Sequence, residues 1–280
     1  MSARRTRWRG RLPKHSKTGR RAAAFAAILC LVAAAGALLW LSRASEAASC
    51  RPFAAPGTEV WLALGQSNAG NHAQRRSEAG PDVAAFDGAR CVAARDPLPG
   101  ADGSGGSLWM PLAQRWVGEG RAPRVLVAVV AKGATPVAEW QPGEPLHRRA
   151  LAAVAALQRR GIRVTRILWV QGEADAIYGT AGETYARNLV AALQPLHAAT
   201  GAPAWIAQAG RCGQAFSPAV RAAQAHVAAA HPWTRPGPDL DAIGAADRFE
   251  RCHFAASGQA RAVALWRDAL IGNADLRIAR

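Results

Sequence analysis

The sequence predicts an α/β protein with a central parallel sheet covered by helices on both faces. Three observations predict it. From Glu59 onward, short apolar runs of strand length alternate with longer stretches of helical periodicity. The runs are apolar nearly throughout rather than at every second residue, as strands buried on both faces are. Residues that favour turns and helix starts come directly after the runs. Polar groups are thereby left at strand ends, where open α/β sheets place their reactive side chains.

Taken in order, the chain opens with a basic lead over residues 1–21. Residues 1–43 hold ten of the 35 Lys and Arg and no acidic residue. The remaining 25 basic residues face all 19 acidic ones, so most of the formal charge of +16 belongs to this lead. The balance gives no footprint for nucleic acid. Residues 22–41, AAAFAAILCLVAAAGALLWL, carry no charge. Twenty residues at 1.5 Å each just span a hydrocarbon core. With the basic block before it, the segment reads as a signal anchor or a signal peptide, the anchor being favoured. Either topology exports the remainder of the chain. Residues 42–56 read as a linker and 57–280 as the exported domain. The expected setting is the periplasmic side of a bacterial-type inner membrane, or secretion if the segment is cleaved.

Cysteine usage agrees with export. Cys50, Cys91, Cys212 and Cys252 form an even set suited to two disulfides. No CxxC pair suggests a metal site, and no cofactor is expected.

Strands are expected at Val60–Leu64, Val125–Ala131, Ile167–Val170 and Trp205–Ala207, with a weaker one at Arg90–Ala93. Helices are expected at Leu108–Glu119, Pro145–Arg160, Ala181–Thr200, Pro218–Ala230 and Ala255–Ile271. In the second of these, Leu146, Ala150, Val154 and Leu157 recur at spacings of three and four, so one face is apolar, and Gly161 stops it. Asp96–Ser107 and Arg235–Asp241, rich in Gly and Pro, read as surface loops.

Four strand ends or loops carry residues suited to chemistry: Gly65-Gln66-Ser67-Asn68, then Lys132-Gly133-Ala134-Thr135 with Glu139-Trp140, then Gln171-Gly172-Glu173-Ala174-Asp175, and Glu250-Arg251-Cys252-His253. Serine ester hydrolysis needs a nucleophile, a base, a carboxylate to orient the base and donors for an oxyanion. Ser67 and His253 can be the nucleophile and base. Glu250, three residues before His253, can accept from its Nδ1–H. Gly133 offers an unhindered N–H and Gln171 an amide. None of the five histidines at 72, 147, 197, 226 and 231 suggests a role.

With these residues in place, the chain resembles the SGNH (GDSL-type) hydrolase superfamily. It is most similar to the branch of sialate O-acetylesterase-like and plant-type acetylxylan esterase domains. GQSNAG (65–70), KGATPVAEW (132–140), QGEAD (171–175) and ERCHFAASGQA (250–260) carry the resemblance and span nearly the whole exported domain. It implies a flavodoxin-like three-layer α/β/α fold and an acyl-enzyme mechanism. Ser67 is then the nucleophile and His253 the base, and the Ser67 and Gly133 N–H groups and Gln171 are the oxyanion donors. Two departures stand out. Glu250 replaces the usual Asp, leaving Asp247 as the fallback carboxylate, and Ala134 stands where the family often has Gly.

The expected activity is removal of O-acetyl or other short acyl groups from carbohydrate. The alternatives are a membrane-tethered O-acetyltransferase with the same triad and a catalytically silent glycan-binding domain. Asn68, Glu173 and Trp140 are the substrate-binding candidates, with Trp109 and Tyr178 also placed to stack on a sugar. Cys212 comes after a strand at the same sheet edge as Cys252, beside the histidine. A Cys212–Cys252 bridge is therefore expected, leaving Cys50 for Cys91.

Overall fold

The computed structural model describes residues 30–32 and 49–275. The apolar segment 22–41 lies outside them apart from 30–32. Among the described residues no helix is long and apolar enough to cross a membrane.

Seven strands form one sheet. They are β1 (Glu59–Gly65), β2 (Val83–Phe86), β3 (Cys91–Ala93), β4 (Val125–Ala131), β5 (Arg166–Val170), β6 (Ala204–Gln208) and β7 (Thr234–Asp239). The spatial order is β3-β2-β4-β1-β5-β6-β7, parallel throughout except for β3. The five strands β4-β1-β5-β6-β7 keep the flavodoxin-like order 2-1-3-4-5. The β2–β3 hairpin is an addition at one edge, so the sheet is mixed rather than wholly parallel. Its antiparallel strand results from its connection: Asp87–Arg90 is too short for a crossover and can only turn back.

Alternation along the central strands builds two cores. Val60, Leu62 and Leu64 of β1 face one way, with Leu126, Ala128 and Val130 of β4. They pack under α2 (Pro145–Gln158), α4 (Gly182–Thr200) and α5 (Pro218–Ala230). Trp61 and Ala63 face the other way with Val125, Val127 and Val129, under α1 (Trp109–Gly118) and α6 (Ala256–Asp275). Two apolar faces need two helical covers, hence three layers.

The structure adds one strand to those expected and corrects one expected loop. Val83–Phe86 is a strand that four residues could not announce. The surface loop expected at Arg235–Asp241 is largely strand: Thr234–Asp239 forms the outer strand β7. Its sequence, TRPGPD, suits an edge because proline has no N–H to donate to a ladder. Gly237 is needed because β6 runs so close: a Cβ there would stand 2.7 Å from the Ala207 nitrogen.

The segment after residue 49 is also more than a tether. Cys50 and Phe53 are buried, and Cys50 is bonded to Cys91 of β3. A second disulfide joins Cys212 to Cys252. Two intact disulfides are the mark of an oxidising compartment.

Candidate active site

Register sets the position of the site. Gly65, the last residue of β1, lies opposite Ala131 of β4 and Val170 of β5. The segments leaving these three strand ends, at Ser67, Gly133 and Gln171, therefore depart from the sheet at one level. This is the switch point where connections diverge to opposite sides, the usual place for a ligand in an open α/β sheet. At Gly65 the chain turns with φ 138°, and a Cβ would stand 1.8 Å from the Val170 carbonyl oxygen. Only glycine permits this turn, which delivers Ser67 to the start of a single 3₁₀ turn, Ser67–Ala69.

An open cavity of about 530 Å³ lies over this edge. Ser67, Gly133 and His253 line it together with His72, Asp102 and Glu250. Ile177 and Tyr178, both exposed, form part of its rim.

On the histidine side, His253 Nδ1 lies 3.0 Å from Glu250 Oε2. Asp247 faces elsewhere, bonded to Arg261. Burial pulls the His253 imidazole below its ordinary range. The bond to Glu250 acts the other way, and nearby His72 adds to the lowering. The ring is thus held neutral at neutral pH with its Nδ1 proton directed at Glu250. Among the described residues, non-glycine backbone with positive φ occurs at Ala134, Glu250 and Arg251. All three adjoin the site, where such strain concentrates. Several contacts hold the histidine loop in place. The Cys212–Cys252 bond ties it to the segment after β6. Gly213 N–H donates to the Arg251 carbonyl, and buried Arg248 donates to the Cys252 carbonyl at 2.7 Å.

The QGEAD segment, which leads into α3 (Glu173–Tyr178), is different in kind. Gln171 is fully buried and does not line the cavity. Its amide nitrogen donates to Gln66 Oε1, the Thr135 carbonyl and Asp175 Oδ2. Its two amide hydrogens face three internal acceptors in this structure, whereas the sequence-based expectation gives them to an oxyanion. Glu173 and Asn68, expected to bind substrate, bond to each other at 2.7 Å and are both buried. Asn68 also reaches the Cys252 carbonyl at 3.4 Å, tying the Ser67 turn to the histidine loop. Burial raises the Glu173 carboxyl above the usual range. Asp175 accepts the Val137 N–H at 2.9 Å, clamping the segment after β4. QGEAD therefore fastens together the loops that carry Ser67, Gly133 and His253.

Trp140 and Trp109 are not placed to stack on sugar either. Trp140 is buried edge-on against Trp169, and Trp109 is buried with its indole N–H on the Ala69 carbonyl. Of the three aromatic candidates, only Tyr178 is open to the cavity.

The structure adds two residues that the sequence did not suggest. His72 lies over His253 with ring centres 4.9 Å apart. Asp102, from the Gly/Pro-rich loop, accepts the Gly133 N–H at 3.0 and 2.9 Å through its two carboxylate oxygens. It also lies 3.2 Å from His72 Nε2. Neither residue stands in a periodic or strand-end context, so no local signal could find them.

Comparison with known families decides the class. Residues 57–270 match the family described as SASA: carbohydrate esterase, sialic acid-specific acetylesterase. The chain belongs to this family of carbohydrate esterases. As an SGNH hydrolase of this group, it is an enzyme that removes O-acetyl groups from carbohydrate. Solved structures support the same fold. A protein from Arabidopsis thaliana superposes with a TM-score of 0.66 at 17% identity, covering 78% of this chain and 99% of its own. The protein titled NanS gives 0.54 at 14% identity, covering 80% of this chain and 98% of its own. No curated protein matches the sequence.

Proposed function

We propose that this esterase is exported and deacetylates carbohydrate through an acyl-Ser67 intermediate. The observation that carries the proposal is the joint placement of Ser67 and the Glu250-paired His253 in one open cavity at the switch point. Ser67 Oγ attacks the acetyl carbonyl carbon while His253 Nε2 takes its proton, with Glu250 steadying the imidazolium through Nδ1–H. The oxyanion accepts from the Ser67 N–H, free at the start of its turn, and from the Gly133 N–H. Collapse breaks the bond to the sugar oxygen, which leaves with the proton from His253. Water then attacks the acetyl-enzyme, giving its proton to His253, and acetate and Ser67 are released. Tyr178 and Ile177 at the rim offer an amphipathic surface to a sugar ring.

Export through the 22–41 segment, with the domain kept at the membrane, is supported by that segment's length and by the two disulfides. The test of the mechanism is Ser67→Ala. Turnover of acetylated sugars is expected to fall by about 10⁴–10⁶ with an unchanged melting curve. A folded variant with near-native turnover would overturn the serine mechanism.

A further inference from the structure

The Gly133 amide that serves the oxyanion is not vacant. Both oxygens of Asp102 sit on it. A Cβ built on Gly133 would stand 3.3 Å from Asp102 Oδ2, 3.6 Å from His72 Nε2 and 3.6 Å from the Ser67 Cβ. The Asp102 carboxylate therefore holds the Gly133 N–H within the cavity that Ser67 also lines, and that N–H is the seat the acyl oxygen must take. Beyond its Cα, the Asp102 side chain is a methylene and a carboxylate, the same heavy atoms as acetate.

The backbone beneath this carboxylate is fixed. Asp102 N–H donates to the Ala131 carbonyl at 3.3 Å, and its own carbonyl accepts from Asn71 N–H at 3.0 Å. The Asn71 side chain, buried, bonds Leu98 through both its amide groups and reaches the Ala101 carbonyl at 3.3 Å. The Asp102 side chain itself is nearly half exposed. It can swing to solvent about χ1 while the loop stays put.

We propose that Asp102 is a tethered carboxylate seated in the acyl site, a built-in competitor that substrate and acetate must displace. The proposal rests on Gly133 being an oxyanion donor. A carboxylate left in place would repel a developing oxyanion, so Asp102 leaves before chemistry, and His72 Nε2 is its partner in the seated state. Competition for one seat raises KM and weakens product inhibition without altering the chemical step. It also matches the seat to a two-carbon acyl group.

The test uses the purified full chain with p-nitrophenyl acetate as substrate and sodium acetate as inhibitor. Asp102→Ala is expected to lower KM and the acetate inhibition constant about five- to tenfold, the weight of roughly one hydrogen bond, with kcat within twofold. Asp102→Asn, which keeps the shape and one acceptor, is expected to move both in the same direction by less. It decides the matter should the alanine variant fail to fold. A tenfold loss of kcat in either folded variant would overturn the proposal, since Asp102 would then serve the chemistry. Unmoved KM and inhibition constants would overturn it as well. A second arm does not depend on turnover. In Ser67→Ala protein labelled with ¹⁵N-glycine, acetate is expected to shift the Gly133 amide resonance, at lower concentration once Asp102 is also replaced by Ala. No shift in either protein would overturn the shared seat, whereas a failed serine mechanism would leave this arm intact.

Discussion

Two carboxylates of this site, Glu173 and Glu250, live under opposite rules. Glu173 is buried, bonded to the Asn68 amide and raised above the ordinary carboxyl range by burial. Glu250 is mostly exposed, stands on strained backbone and holds a histidine. The same division runs through the whole site. The QGEAD half is internal and hydrogen-bonded across three loops, whereas the histidine half and Asp102 face the cavity. A hydrolase needs both: a rigid frame to fix distances, and open groups free to exchange protons and ligands. A polar motif at a strand end can thus serve the frame rather than the reaction.

The disulfides give the sharpest way to break this comparison. Each closes a loop of similar length, with sequence separations of 41 and 40 residues. The chain-entropy model gives either roughly 4 kcal/mol of stability. Removing Cys50–Cys91 with paired serines is expected to lower stability but leave kcat/KM near native below the melting range. Removing Cys212–Cys252 is expected to lower both, because that bond holds the His253 loop. Denaturant melts beside kinetics would decide, and equal kinetic losses would erase the distinction.

Gln171→Ala comes next. If Gln171 belongs to the frame, losing its amide removes its bonds to Gln66, the Thr135 carbonyl, Asp175 and Tyr185, at a cost of about 4 kcal/mol at roughly 1 kcal/mol per lost bond. Thermal melting should register that loss. A variant of native stability with kcat down by about 10²–10³ would return Gln171 to the oxyanion role.

Glu250→Gln should show the reverse pattern. Stability should stay within about 0.5 kcal/mol because the residue is exposed. Turnover should fall by roughly tenfold to a hundredfold as the imidazolium loses its partner. Asp247→Asn, which disturbs contacts to Ser257 and Arg261 rather than to the histidine, should do less. The opposite ranking would move the orienting carboxylate to Asp247.

The smallest effects concern pH. His253 must be neutral to act as a base, and burial favours the neutral form. The acid limb of kcat/KM should therefore lie below the ordinary imidazole value of about 6.5. Glu250 raises the His253 pKa, so Glu250→Gln should move the limb to lower pH. His72 lowers it, so His72→Ala should move the limb upward. A pH–rate series on the two variants would check both signs.

What the sequence by itself determined is local and periodic. Apolar runs at 60–64, 125–131, 167–170 and 205–207 read as central strands because strands buried on both faces can contain little else. Gly65 ahead of Ser67 marked the turn, and Glu250 three residues before His253 marked a pair that one short loop can close. Tertiary structure decided what depends on partners far along the chain. Whether Gln171 faces a cavity or three internal acceptors turns on residues 66 and 135 as well as neighbouring Asp175. Whether Trp140 meets sugar or Trp169 turns on how the segment after β4 packs. TRPGPD became an edge strand only because β6 offered one free side. His72 and Asp102, thirty residues apart, meet over Gly133 because Asn71 fastens their loops together. A side chain's type fixes what it can bond to, but only the fold fixes which partners come within reach and whether water competes for them.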